Sequence, residues 1–88
     1  MTFSSRSFAP LDERSAAPLY RQLYNRVLAA IAAGTLAPGD RLPSARAMAK
    51  ELGVARGTVE LAYSLLTSEG YLLALKQKGT VVNPELRP

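Results

Sequence analysis

The stretch Ala45-Arg-Ala-Met-Ala-Lys-Glu-Leu-Gly-Val-Ala-Arg-Gly-Thr-Val-Glu-Leu-Ala-Tyr63 contains two runs of apolar residues at helical spacing, separated by a few residues around Gly53. Glycine tolerates the left-handed backbone of a tight turn. A small residue at Ala49 lets the second helix approach the first closely, and the branched Val59 fills the angle between them. This spacing predicts a helix-turn-helix unit, in which two helices cross steeply through a short turn.

The regions on either side predict one more helix before this unit and a β-hairpin after it. Apolar residues recur every four positions from Leu19 to Ile31. This pattern predicts an amphipathic helix that begins at Pro18 and ends at Gly34. We expect Ser44 to cap the second helix with its hydroxyl group. After Gly70 the apolar pattern alternates, which predicts two strands joined by a turn.

The predicted fold class is therefore α+β: a winged helix-turn-helix of three helices followed by a two-stranded β-hairpin wing. We expect a flexible N-terminal arm at residues 1–17, the domain itself at 18–82, and the start of an interdomain linker at 83–88. Within the domain, the third helix is predicted at about 56–69 and the wing at about 71–82.

Composition restricts the chemistry of this 88-residue chain, which is long enough for one small domain. It has no cysteine and no histidine, so disulfides, thiolate metal sites and the commonest general base are excluded. We expect no metal site, no catalytic residues and no enzymatic activity. A formal charge of +4 suits an anionic partner such as nucleic acid. No apolar run could span a membrane and no signal peptide is evident, so we expect a cytoplasmic protein without a membrane partner.

The candidate DNA-reading residues open the third helix. In a helix-turn-helix unit, the first residues of the second helix face base edges in the major groove. Arg56 can donate two hydrogen bonds to guanine, and Thr58 can contact a base edge, a phosphate or a thymine methyl group. Gly57 would allow the backbone to approach the groove floor. Ala55 and Glu60 complete the set; the alternative is a solvated helix start with no partner.

Two further groups could contact the DNA backbone. Lys76 and Lys78 flank the hairpin tip, where they could reach phosphates or the minor groove; alternatively, they only keep the hairpin soluble. Ser44 and Arg46 lie at the start of the second helix, and a helix N-terminus favours an anion such as phosphate.

Several motifs resemble the winged-helix domain of GntR-family bacterial transcription regulators. The resemblance covers residues 18–82 and rests on the run from Leu42 to Tyr63, followed by Glu69-Gly-Tyr-Leu72 and Gly79-Thr-Val-Val82. The opening Pro18-Leu-Tyr-Arg-Gln-Leu-Tyr24 and the pair Ala62-Tyr63 look most like the MocR subfamily.

The resemblance implies a regulator that binds double-stranded operator DNA. It implies that Arg46 contacts the operator. It further implies that the residues that open the third helix read the major groove: Arg56, Gly57, Thr58 and Glu60. It also implies that the wing tip, Gln77-Lys78-Gly79, approaches the minor groove. The competing hypothesis is a winged helix used as a protein–protein interaction module, for which a partner contact at 56–60 would be insensitive to salt.

Three positions depart from the family pattern. Ala55 stands where Ser or Thr usually caps the helix, Glu60 where a basic residue is common, and Gln77 where the wing usually has its first glycine. Glu60 could accept a hydrogen bond from cytosine N4 or simply face solvent.

The MocR resemblance also concerns what lies beyond this chain. In those regulators a large aminotransferase-like domain that binds pyridoxal phosphate follows the winged helix. We expect no cofactor in this chain and pyridoxal phosphate in a longer parent protein. Binding two half-sites would need a homodimer, and we expect its dimerisation surface to lie outside this chain.

Overall fold

The computed structural model describes residues 11–77 and 79–86, which form three helices and an antiparallel hairpin. The hairpin pairs Leu72 with Val82 and Leu75 with Gly79. The predicted α+β architecture, three helices followed by a two-stranded wing, is confirmed. In chain order its elements are α1 (Leu19–Ala33), α2 (Ala45–Leu52), α3 (Arg56–Ser68), β1 (Leu72–Leu75) and β2 (Gly79–Val82).

The helix ends follow local signals in the sequence. Gly34 and Gly53 adopt left-handed backbones with φ of 82° and 68°, and their N–H groups donate to carbonyls of the helices they end. Ser44 caps α2 as predicted, because its Oγ accepts a 3.1 Å hydrogen bond from the backbone N–H of Ala47. Pro18, predicted as the first helical residue, instead lies one position before α1 as its N-cap.

Helix α3 is the centre of the core, since α1, α2 and β1 all pack against it. Val59 is completely buried, as expected for the residue that fills the angle of the helix-turn-helix unit. Buried Tyr63 ties α3 to the segment before α2 through a 2.8 Å hydrogen bond from its hydroxyl group to the Pro43 carbonyl. Burial, and secondarily the charge of Glu51, raises the pKa of the Tyr63 phenol, so this donor stays protonated.

Residues 39–42 lie alongside β2 and extend the sheet by one short edge. The Leu42 N–H donates to the Thr80 carbonyl and the Val82 N–H donates to the Asp40 carbonyl, each at 2.8 Å. Arg41 forms an isolated antiparallel bridge with Val81. These bonds join the wing directly to the segment that leads into α2.

The segments at the two ends of the domain are held by amide side chains. Gln22 donates to the Asp12 carbonyl at 2.7 Å and the Ala17 carbonyl at 2.8 Å, so residues 11–17 of the predicted arm lie against α1. Asn83 donates to the Gly70 carbonyl at 2.9 Å and positions the described part of the predicted linker. Residues 1–10 and 87–88 lie outside the described residues. Within the described ranges, the helices are too short and too polar to cross a bilayer.

Candidate nucleic-acid interface

Helix α3 buries one side and exposes the other. Val59, Ala62 and Leu66 have no exposed surface, whereas the positions between them on the opposite side are open to solvent. We call this exposed side the reading face; it comprises residues 56, 57, 60, 61 and 64. The predicted reading residues Arg56, Gly57 and Glu60 thus share one surface, with half-buried Thr58 at its edge.

Arg56 and Glu60 form an ion pair across one turn of α3. Arg56 Nε lies 3.3 Å from Glu60 Oε2, and the two side chains are 60% and 53% exposed. Such exposed pairs contribute only about 0.3–0.5 kcal/mol and are screened by salt. The guanidinium group is therefore oriented by Glu60 without being locked in place, and Glu60 has a partner within the protein itself.

No contact or backbone angle within the domain requires a glycine at position 57. Its φ is not positive, and a Cβ placed on it would have no heavy atom within 4 Å. A glycine inside a helix costs about 1 kcal/mol relative to alanine. Neither a turn nor a close packing contact requires glycine at position 57, so the fold would accept a side chain there.

The start of α3 also lacks a side-chain cap. Ala55 is the N-cap residue with φ −66° and ψ 143°, and only its carbonyl takes part, accepting from the Thr58 N–H at 3.0 Å. At the start of α2, by contrast, the Ser44 hydroxyl group is engaged in capping, and Arg46 is exposed in the first turn. To contact a phosphate, the Ser44 hydroxyl group would have to do so while it caps α2.

Gly79 at the wing tip adopts a left-handed backbone. Lys76 and Gln77 are exposed, and Gly79 has φ 74°. A left-handed glycine is common in three-residue hairpin loops. Gly79 therefore supplies a left-handed residue to this turn, although Gln77 stands where the family usually has its first glycine. Lys78 lies outside the described residues.

Arg41 is a candidate DNA contact that the sequence reading missed. A Cβ on Gly79 would lie 3.7 Å from Arg41 Nε and from one of its terminal nitrogens, so the guanidinium group lies next to the start of β2, at the tip end of the wing. Arg41, Ser44, Glu60 and Gly79 line one groove of about 600 Å³ between α3 and the wing. A cation three residues before the Ser44 cap was visible in the sequence, but its proximity to the wing depends on the pairing with Val81.

Two of the predicted DNA contacts do not line this groove. Arg46 on α2 and Lys76 on the wing are exposed but lie outside it. Over the described ranges, no cluster of carboxylates, cysteines or histidines could hold a metal ion. Of the described charged residues that line the groove, Arg41 is the cation, and the acid Glu60 is paired with Arg56.

Comparisons with known proteins agree with this geometry. The family described as bacterial regulatory proteins, gntR family, matches residues 19–82. The probable rhizopine catabolism regulatory protein MocR of Rhizobium meliloti is 46% identical over 72 residues, which are 82% of this chain and 15% of that protein. The chain thus spans only a small part of the length of this relative.

Solved structures give the same result. YtrA from Sulfolobus acidocaldarius, a GntR-family transcription factor, superposes with a TM-score of 0.83 at 40% identity and covers 91% of this chain and 68% of YtrA. The DNA-binding domain of AraR, solved in complex with operator ORX1, superposes with a TM-score of 0.71 at 29% identity, covering 85% of this chain and 89% of that domain. The chain belongs to the gntR family of bacterial regulatory proteins.

Proposed function

We propose that this chain is the operator-binding domain of a bacterial transcription regulator. It places the N-terminal end of α3 in the major groove of double-stranded DNA and the wing near the minor groove. The reading face carries this proposal: it presents Arg56 to solvent and contains a glycine at position 57 for which the fold has no use. The AraR domain, which has the same fold, is solved on operator DNA.

The exposed side chains divide into two roles. Arg56 and Thr58 would read base edges, since a guanidinium fork matches the two acceptors of guanine. Arg41, Arg46 and Lys76, together with Lys78, would neutralise phosphates and supply affinity without sequence preference.

The chain itself is proposed to be a binding module rather than an enzyme. Pyridoxal phosphate is proposed for a longer parent protein only. Lys50 and Lys76 are both solvent-exposed and lack the enclosed pocket that activates a lysine for imine formation. The proposed site of action is the cytoplasm, and two copies of the parent would bind two half-sites about one helical turn apart.

The proposal is tested by selecting duplexes from a random DNA pool and titrating the enriched sequence by fluorescence anisotropy between 50 and 200 mM salt. Neutralising three or four phosphates predicts a slope of about −3 for log K against log salt concentration. The enriched duplex should also bind at least about tenfold more tightly than a scrambled one. Failure to enrich any sequence, with binding insensitive to salt, would favour a protein–protein interaction module.

A further inference from the structure

Leu61 is one of two large hydrophobic side chains that are exposed within the described ranges. It is 45% exposed and lies on the reading face of α3; the other, Leu75, is 39% exposed at the end of β1. An isolated exposed leucine is ordinary on a protein surface. Leu61 is informative because it shares the exposed side of α3 with Arg56 and Gly57, in the proposed interface.

The core does not need Leu61. The apolar positions of α3 that face the other elements are already buried, with Val59, Ala62 and Leu66 completely inaccessible. A charged or polar residue would be tolerated at position 61, and the reading face would then be polar throughout.

Gly57 lies one helical turn before Leu61 on the reading face. Side chains on a helix lean back over the preceding turn, so the Leu61 side chain inclines towards the turn that contains position 57. Position 57 has no side chain, and a Cβ placed there would have no heavy atom, from Leu61 or any other residue, within 4 Å. The reading face therefore combines bare backbone at Gly57 with one exposed apolar side chain on the next turn.

The major groove offers one apolar group to such a spot. Its base edges present hydrogen-bond donors and acceptors, and only thymine adds a methyl group. Five residues of helix separate Arg56 from Leu61, or about 7.5 Å along the axis, which is about two base-pair steps. A leucine side chain is long enough to reach the methyl group when the bare backbone of Gly57 lets the helix sit deep in the groove.

We propose that Leu61, one turn after the bare backbone of Gly57, contacts the 5-methyl group of a thymine within about two base pairs of the base that Arg56 reads. This inference rests on the proposed DNA-binding function and adds a specificity determinant to it. The contact discriminates thymine from cytosine and from uracil by shape and apolar burial, without a hydrogen bond.

The test removes the methyl group and nothing else. Each thymine of the enriched duplex is replaced in turn by deoxyuridine, and the Kd of the wild-type chain is measured by fluorescence anisotropy. At one thymine the affinity should fall about 3- to 5-fold, which corresponds to the burial of one methyl group. Leu61→Ala should bind the thymine and deoxyuridine duplexes equally at that position. Leu75→Ala, a matched control on the wing, should keep the wild-type sensitivity.

A second variant guards against a merely structural explanation. Gly57→Ala adds a methyl group in open space, so it should fold and melt at a temperature at least as high as wild type. It should lose the deoxyuridine effect, because the added methyl group holds α3 further from the groove floor. Sensitivity that persists in Leu61→Ala, or no sensitive thymine in a duplex that wild type binds selectively, would overturn the inference alone. Failure of wild type to select any duplex would remove the proposed function as well. A dimer that Leu61→Ala converts to a monomer in sedimentation would assign the leucine to self-association instead.

Discussion

On the reading face, the positive charge of Arg56 is balanced by the carboxylate of Glu60 one turn later. The pair is exposed at both ends, so its strength depends on salt and it can open at little cost. A carboxylate beside a base-reading arginine orients the guanidinium group, but it also repels the phosphates of any duplex. Glu60 would therefore lower affinity for all DNA while sharpening the choice among sequences.

Glu60→Gln separates these two effects. The substitution keeps the size of the side chain and removes its charge, so we expect a 3- to 10-fold gain in affinity for scrambled duplexes, of the order of one exposed charge interaction. The ratio between enriched and scrambled duplexes should fall, and the free energy of unfolding should change by less than about 0.5 kcal/mol. Anisotropy titrations and thermal melts measure both. Weaker binding to the enriched duplex alone would show that Glu60 accepts a hydrogen bond from a base.

The two helices of the helix-turn-helix unit begin differently. Helix α2 starts with a serine whose hydroxyl group accepts from the Ala47 N–H, whereas α3 starts at Ala55, which offers no side-chain acceptor. An N-cap hydroxyl contributes about 1 kcal/mol. The helix proposed to contact DNA is thus the one with the less stable first turn.

Paired substitutions test this difference. Ala55→Ser should raise the free energy of unfolding by about 1 kcal/mol, and Ser44→Ala should lower it by a similar amount. For a domain of this size, each change corresponds to a shift of about 4–8 °C in Tm. Both are measured by circular dichroism melts. An Ala55→Ser variant no more stable than wild type would mean that the first turn of α3 is already satisfied by other groups.

The sequence predicted the parts of the fold that depend on local signals. Apolar periodicity located α1, α2 and α3, and left-handed glycines located the ends of α1 and α2. The turn that joins α2 to α3 was predictable because Ala49, Gly53 and Val59 have the spacing of a helix-turn-helix unit. The pairing of Arg41 with Val81 was not, since it joins residues far apart in the chain with no pattern that links them.

The candidate site likewise has residues whose positions follow from local sequence signals and residues whose positions do not. The reading residues follow from helix geometry once the turn is identified, so their common exposed face was predictable. The Arg56–Glu60 pair follows the four-residue spacing of helical ion pairs, so the sequence contained the signal for it. The position of Arg41 over Gly79 required the three-dimensional structure. Which of these side chains touch DNA stays a prediction.

The two ends of α3 have different surroundings: the C-terminal end is hydrogen-bonded to α1, and the N-terminal end presents Arg56 to solvent. At the C-terminal end, the Tyr24 hydroxyl group of α1 donates a hydrogen bond to Glu69, and the guanidinium carbon of Arg21 lies 4.6 Å from the centre of the Tyr24 ring. At the N-terminal end, Arg56 faces solvent beside the groove that the wing forms with α3. Arg21, on α1, therefore lies near the C-terminal end of α3, whereas Arg56 lies at its N-terminal end, and the two side chains carry equal charges.

The most direct test of the central claim compares Arg56→Ala with Arg21→Ala on the enriched duplex, on its single-base variants and on a scrambled duplex. Loss of a two-bond contact with guanine should cost about 1–3 kcal/mol of discrimination at one base pair. The account predicts that Arg56→Ala loses this selectivity while Arg21→Ala changes all duplexes slightly and equally. Equal weakening of every duplex by both variants would contradict it.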